Sequence, residues 1–180
     1  MLHRATRRNL AGGLAGLAAA AALPPRPGRA QGAAAPLRRP REPPLLTVTG
    51  RIEARNQGDS AVFDRAMLEE LGVSGFTTAT PWFDGPVRFE GVPMARLMQA
   101  LGAVGETATA IALNDYSTDI PITDFARFGV LLALRRDGRP MRVSDKGPLF
   151  IVYPFDSAAE LRARQYYSRS AWSVAQIVVR

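Results

Sequence analysis

Every recognisable element in this chain is short, and that limits the folds open to it. From Leu45 onward, strand-like runs and brief helical stretches alternate irregularly with no repeated period, each cut off by Gly, Pro or Asp. Leu46-Thr47-Val48-Thr49-Gly50-Arg51-Ile52 alternates apolar and polar residues, the pattern of a strand with one buried face. A further short strand is expected around Val62. Asp64 can then cap a helix in which Met67, Leu68 and Leu71 share a face and Gly72 ends the element. Gly75 to Thr80 and Val87-Arg88-Phe89 read as strands. Pro93 suits the first turn of a helix from Met94 to Leu101, closed by Gly102.

In the second half, Thr109 to Asn114 and Val130 to Leu134 are strand candidates. Between them lie the polar stretch Asn114 to Asp119 and a helical turn capped by Thr123. Asp137-Gly138 is a hairpin signal. Leu149 to Tyr153 is a continuous apolar run expected as a buried strand, and Ser173 to Val179 as a terminal one, with a short helix near Ala158 to Arg164 between them. The expected architecture is a single α+β domain.

The residues before Leu45 have another character. The first thirty hold five arginines and no acid, followed from Leu10 to Leu23 by a run of Ala, Gly and Leu. That run is too short to span a bilayer as a helix and has the length of a signal h-region. Gly28 and Ala30 supply the small residues a signal peptidase reads, so residues 1–30 are expected to be a signal peptide and the product periplasmic or secreted. Thr6-Arg7-Arg8-Asn9-Leu10 resembles a twin-arginine signal, with an ordinary secretory route as the alternative. Residues 31–44, rich in Ala, Pro and Arg, read as an extended linker, and residues 45–180 as the folded domain with no membrane span after signal removal.

Removing that segment changes the charge argument. The whole chain carries a formal +7, but residues 31–180 hold 23 − 5 = 18 basic and 16 acidic side chains, a net of +2. A basic balance that resides in a signal and a linker gives no reason to expect a nucleic-acid partner, and no basic stripe interleaved with aromatics occurs. There is no cysteine, and the one histidine is His3. Nucleophilic machinery of the Ser-His-Asp or Cys-His kind is therefore excluded from the expected domain, as are the thiolate and imidazole ligands that usually hold zinc, copper or haem iron. No flavin or nicotinamide fingerprint is present either.

Several pieces in order carry a resemblance. Phe76-Thr77-Thr78-Ala79-Thr80-Pro81-Trp82 is followed by Phe89-Glu90-Gly91-Val92-Pro93-Met94 and later by Asp145-Lys146-Gly147-Pro148-Leu149. Together they resemble the oxidoreductase molybdopterin-binding domain family of the sulfite oxidase fold, over roughly residues 46–180. The resemblance implies a single mixed-sheet α+β domain with a pterin groove lined by loops. It also implies molybdopterin as a cofactor, with a cysteine on the metal at the position that reads Thr78 here. A hydroxyl stays protonated and donates less charge than a thiolate, so the molybdenum itself is in doubt.

On the same resemblance, Asn114-Asp115-Tyr116 matches a polar loop that approaches the cofactor, and Lys146 a loop that faces the pterin or its anionic substrate. Lys146 is the single lysine among 23 basic residues, and a compact ammonium there would attract oxyanions. Read locally, Asn114 and Asp115 are ordinary turn residues, Asp119 is a strand end or part of the same rim, and Lys146 is an exposed loop lysine. Trp82 borders the expected pocket, and both Trp82 and Trp172 also suit a core or its rim. Arg88 and Arg142 have less motif support. Tyr166-Tyr167-Ser168-Arg169 stands where the family carries a lysine-rich turn and lacks those lysines. The expected ligand site is thus Thr78, Trp82, Asn114, Asp115, Tyr116, Asp119 and Lys146, with no metal ligand assigned.

Three functions remain open on the sequence. One is an exported domain that binds a pterin or other small anionic ligand with a degenerate metal site. Another is an active periplasmic molybdenum-dependent oxidoreductase. The third is a non-catalytic interaction or sensory module with a periplasmic protein partner.

Overall fold

The computed structural model describes residues 36–180, so the expected signal segment lies outside the described residues. In chain order the elements are β1 (Leu46–Gly50), β2 (Ala61–Phe63), α1 (Arg65–Glu70), β3 (Ser74–Thr80), β4 (Phe83–Pro93), α2 (Met94–Ala100), β5 (Thr107–Ala112), β6 (Ser117–Pro121), α3 (Ile122–Phe128), β7 (Leu131–Arg136), β8 (Arg139–Pro140), β9 (Phe150–Val152), α4 (Arg164–Arg169) and β10 (Val174–Val179). The described residues form one α+β domain with two five-stranded sheets. The first is ordered β2-β1-β10-β5-β6, and it is mixed because β1 and β10 run parallel while its other pairs are antiparallel. The second is antiparallel, ordered β3-β4-β7-β8, with β9 also paired to β7.

Local chemistry accounts for most boundaries. The Asp64 carboxylate accepts from the Met67 amide at 2.8 Å, the N-cap bond that starts α1 and turns Met67 and Leu68 into the core. Helix α2 follows Pro93 and is closed beyond Leu101 by left-handed Gly102. Asp137 and Gly138 both have positive φ between the paired residues Arg136 and Arg139, which is the tight hairpin the dipeptide signals.

Four expectations need correction. The Asn114 to Asp119 stretch is not all loop, because Ser117 to Pro121 pairs with β5 as a strand. Thr123 does not cap α3; the helix begins at Ile122 after extended Pro121, placing Thr123 inside its first turn. The strand around Val87 runs the full length of β4, because pairing with β3 covers its first part and pairing with β7 carries it on from Phe89 to Pro93. The helix sought near Ala158 is a 3₁₀ turn at Ala159–Arg162, with α4 following it.

The stretch before β1 lies on the domain as well. Arg38 donates to both oxygens of Asp64 at 3.1 and 3.3 Å and pairs with Glu70 at 3.0 Å, while the amides of Arg41 and Glu42 donate to the same Asp64 carboxylate. Order thus begins upstream of Leu45. Asp64 is fully buried, and burial alone would raise its pKa. The Arg38 guanidinium and the Arg41, Met67 and Glu42 amides outweigh that and hold the carboxyl well below the usual carboxylate range.

Candidate functional site

The two sheets meet where β9 gives way to the last strand, and the candidate site lies at that junction. Phe150 bridges to Trp172, the Ile151 amide donates to Ala171, and the Val174 amide donates to the Leu149 carbonyl. Between these, the Ser173 amide donates to the Lys146 carbonyl at 3.2 Å and the Ser173 carbonyl accepts from the Leu113 amide at 2.9 Å. Three segments far apart in sequence, around Leu113, Lys146 and Trp172, are thereby sewn together through one serine.

The hollow they enclose has a volume of about 370 Å³ and is lined by Leu113, Asn114, Val143, Ser144, Lys146, Trp172 and Ser173. The Lys146 ammonium stands 4.3 Å from the centre of the Trp172 ring, a cation–π contact that fixes its position. Lys146 makes no ion pair among the described residues. Its neighbour Asp145 faces a separate, larger hollow of about 770 Å³, lined by Arg136, Asp137, Arg139, Pro140, Met141, Arg142 and Asp145, which none of the expected site residues reaches. The turn Val143–Asp145 divides the two.

Backbone conformation marks the smaller hollow. Among the described residues, four non-glycine residues have positive φ, and apart from the hairpin residue Asp137 they are Asp115, Lys146 and Ser173. Asp tolerates the left-handed region in turns, but Lys and Ser have no such preference, and each such residue costs about 1–3 kcal/mol and persists only where its surroundings enforce it. Lys146 and Ser173 line the hollow, and Asp115 sits in the turn beside Asn114.

The expected site residues divide accordingly. Asn114 and Lys146 line one hollow. The Asn114 side-chain oxygen is 3.4 Å from the Tyr116 amide, leaving its NH₂ to point elsewhere. Trp82 lies behind that hollow, packed edge to face on Trp172 at 5.6 Å and on Phe150, Phe155 and Tyr167 at 5.5 to 6.1 Å. Tyr116 uses its hydroxyl to donate to the Ser168 carbonyl at 2.7 Å. Asp119 pairs across strands with Thr109 and accepts its hydroxyl at 2.6 Å. Neither Tyr116 nor Asp119 lines the hollow.

Thr78 tests the fit of a metal. The residue is 1% exposed, and its hydroxyl accepts from the Asp156 amide at 3.0 Å and lies 3.3 Å from both the Asp156 carboxylate and the Ala79 carbonyl. Asp156 in turn accepts from the Ala79 amide at 2.6 Å and from Arg162 at 3.1 Å. The Ala79 amide holds the Asp156 carboxyl below the usual range; partial burial opposes this, and Arg162 and Thr78 reinforce it. The hydroxyl is therefore committed to a structural clasp between β3 and the loop after β9. Neither its chemistry nor its bonding fits a molybdenum ligand.

On sequence, Trp172 suits a core or its rim, and Ser144, Val143 and Leu113 carry no site signal beyond adjacency to the Lys146 and Asn114 loops; Ser173 carries none. Comparison with models of known families found no match, and comparison with curated proteins found none either.

Proposed function

We propose that this domain is a binding module for a small anionic ligand, held at Lys146 with the Asn114 amide and Ser144 hydroxyl as neighbouring donors. The single observation that carries this is the Lys146 ammonium, fixed over Trp172 with no acidic partner and facing a hollow shaped by left-handed Lys146 and Ser173. A cation so placed gains more from an anion than a freely solvated one, because less side-chain freedom is lost on binding.

The sulfite oxidase scaffold and a pterin as the ligand are the finer parts of this proposal. The motif order around Trp82, Val92-Pro93 and Lys146-Gly147-Pro148 supports them. The structural use of Thr78 favours a domain without a molybdenum centre over the oxidoreductase alternative. Export to the periplasm belongs to the same reading and is supported by Arg7-Arg8 and the Ala-rich run after them.

Titrating the mature protein with pterin-6-carboxylate while following tryptophan fluorescence tests the site. Saturable quenching that Lys146→Met abolishes is expected, and it should weaken as salt is raised. Quenching unaffected by Lys146→Met would refute the assignment. Elemental and pterin analysis of protein purified from its native compartment separates this reading from the molybdoenzyme, which requires molybdenum at full occupancy.

A further inference from the structure

The geometry points to a more specific ligand class: an organic anion carrying an uncharged apolar arm. The inference rests on Lys146 as the anion anchor and adds a second subsite. Beside the Lys146 hollow lies another of about 290 Å³, and the two share Leu113 and Val143 in their linings. An occupant of the first that extends across these two residues enters the second.

The linings differ in chemistry. Lys146, Asn114 and Ser144 supply the polar groups of the first hollow. The lining of the second is mostly apolar, with Pro44, Leu45, Pro148 and Val174 among it; Thr47 and Gln176 are its polar members, and no side chain in it is charged. Leu113 and Val143 themselves are 55% and 61% exposed, two of the five exposed large hydrophobics among the described residues. Water-exposed leucine and valine between a fixed cation and an apolar recess are the surface an amphiphile would cover.

The far wall is also held in position. Pro44 and Leu45 follow the strap whose Arg41 and Glu42 amides and Arg38 side chain are clamped on buried Asp64, and the Leu45 amide donates to Phe63 at 2.8 Å. A compact anion such as inorganic phosphate would engage Lys146 and leave Leu113 and Val143 wet. An unbranched alkyl arm on the anion would bury them, at about 0.8 kcal/mol per methylene, or about fourfold in affinity.

The test uses the mature chain and a series of methyl, butyl, hexyl and octyl phosphates, each below its micelle-forming concentration, with Kd measured by calorimetry. Affinity should rise by up to about fourfold per methylene until the groove is filled. Leu113→Asn with Val143→Asn should flatten that dependence across the butyl, hexyl and octyl members. Lys146→Met should weaken all members by one common factor.

Methyl phosphate binding with no chain-length dependence would overturn the apolar subsite and leave the Lys146 reading standing. Binding of no member would overturn both. A chain-length dependence that survives the double asparagine variant would place the arm elsewhere and also defeat the proposal. A lipid phosphate and a soluble alkyl anion share this chemistry. Sedimentation with phosphatidylcholine vesicles, with and without phosphatidic acid, distinguishes the two sources.

Discussion

Ser173 donates its amide to the carbonyl of Lys146 at 3.2 Å, and both residues hold left-handed backbone, with φ of 53° and 69°. Lys146 takes that conformation as the C-cap of the turn Val143–Asp145, whereas Ser173 takes it between Trp172 and β10, and neither is intrinsic to its residue type. The ammonium of Lys146 stands 4.3 Å from the Trp172 ring centre, so the residue before Ser173 holds the side chain of the residue whose carbonyl Ser173 engages.

Substitution at Ser173 should show that strain. Ser173→Gly removes the steric conflict at positive φ and is expected to keep the folded state within about 1 kcal/mol of wild type. Ser173→Val, β-branched and unsuited to that region, should lower stability by about 1–3 kcal/mol. Denaturant midpoints of the two variants check this. Equal stability of the valine variant would mean that the left-handed conformation is not maintained in solution.

Asp64 makes a prediction about acid. Its carboxyl is held below the usual range in the folded state, so the unfolded chain binds that proton more readily. The stability it contributes is complete above the unfolded value of about 3.9 and is lost progressively as pH falls toward the lower folded value. Thermal melts of wild type should decline below about pH 4. Asp64→Asn should start lower at neutral pH and show a shallower decline. An Asp64→Asn protein with the wild-type acid profile would show that other carboxylates dominate.

How far the sequence foretold this structure depends on whether the cause was local. The Asp64 cap, the Asp137-Gly138 hairpin and the buried run at β9 are written in adjacent residues, and each stands where the pattern places it. Strand β6 was hidden because Ser117, Thr118 and Asp119 are turn-forming residues that become strand only by pairing with β5. The site was half legible. Lys146 and Asn114 stood out by type and motif, whereas the roles of Trp172 and Ser173 arise from hydrogen bonds between segments that no local pattern connects.

Gly147 should tolerate little. It is buried, and a Cβ there would collide with the carbonyl and side chain of Met141. Those atoms belong to the start of the turn whose Arg142 carbonyl accepts from the Gly147 amide at 2.7 Å. Gly147→Ala is therefore expected to cost about 1–3 kcal/mol and to disturb Lys146 next to it. The check is a paired measurement of unfolding midpoint and phosphate affinity, in which both should fall together.

Thr78 offers the sharpest contrast between a structural and a ligand role. In the clasp, its hydroxyl satisfies the Asp156 amide, and the Asp156 carboxylate in turn satisfies the Ala79 amide at the outer edge of β3. Thr78→Ser keeps that hydroxyl and should lose only the packing of one methyl, about 1 kcal/mol. Thr78→Val keeps the shape but removes the acceptor of the Asp156 amide, at a cost of about 0.5–1.5 kcal/mol. Because the clasp is separate from the Lys146 hollow, both variants should bind pterin-6-carboxylate or methyl phosphate as wild type does once folded. A valine variant that folds normally and loses only ligand affinity would return Thr78 to the binding site and reverse this assignment.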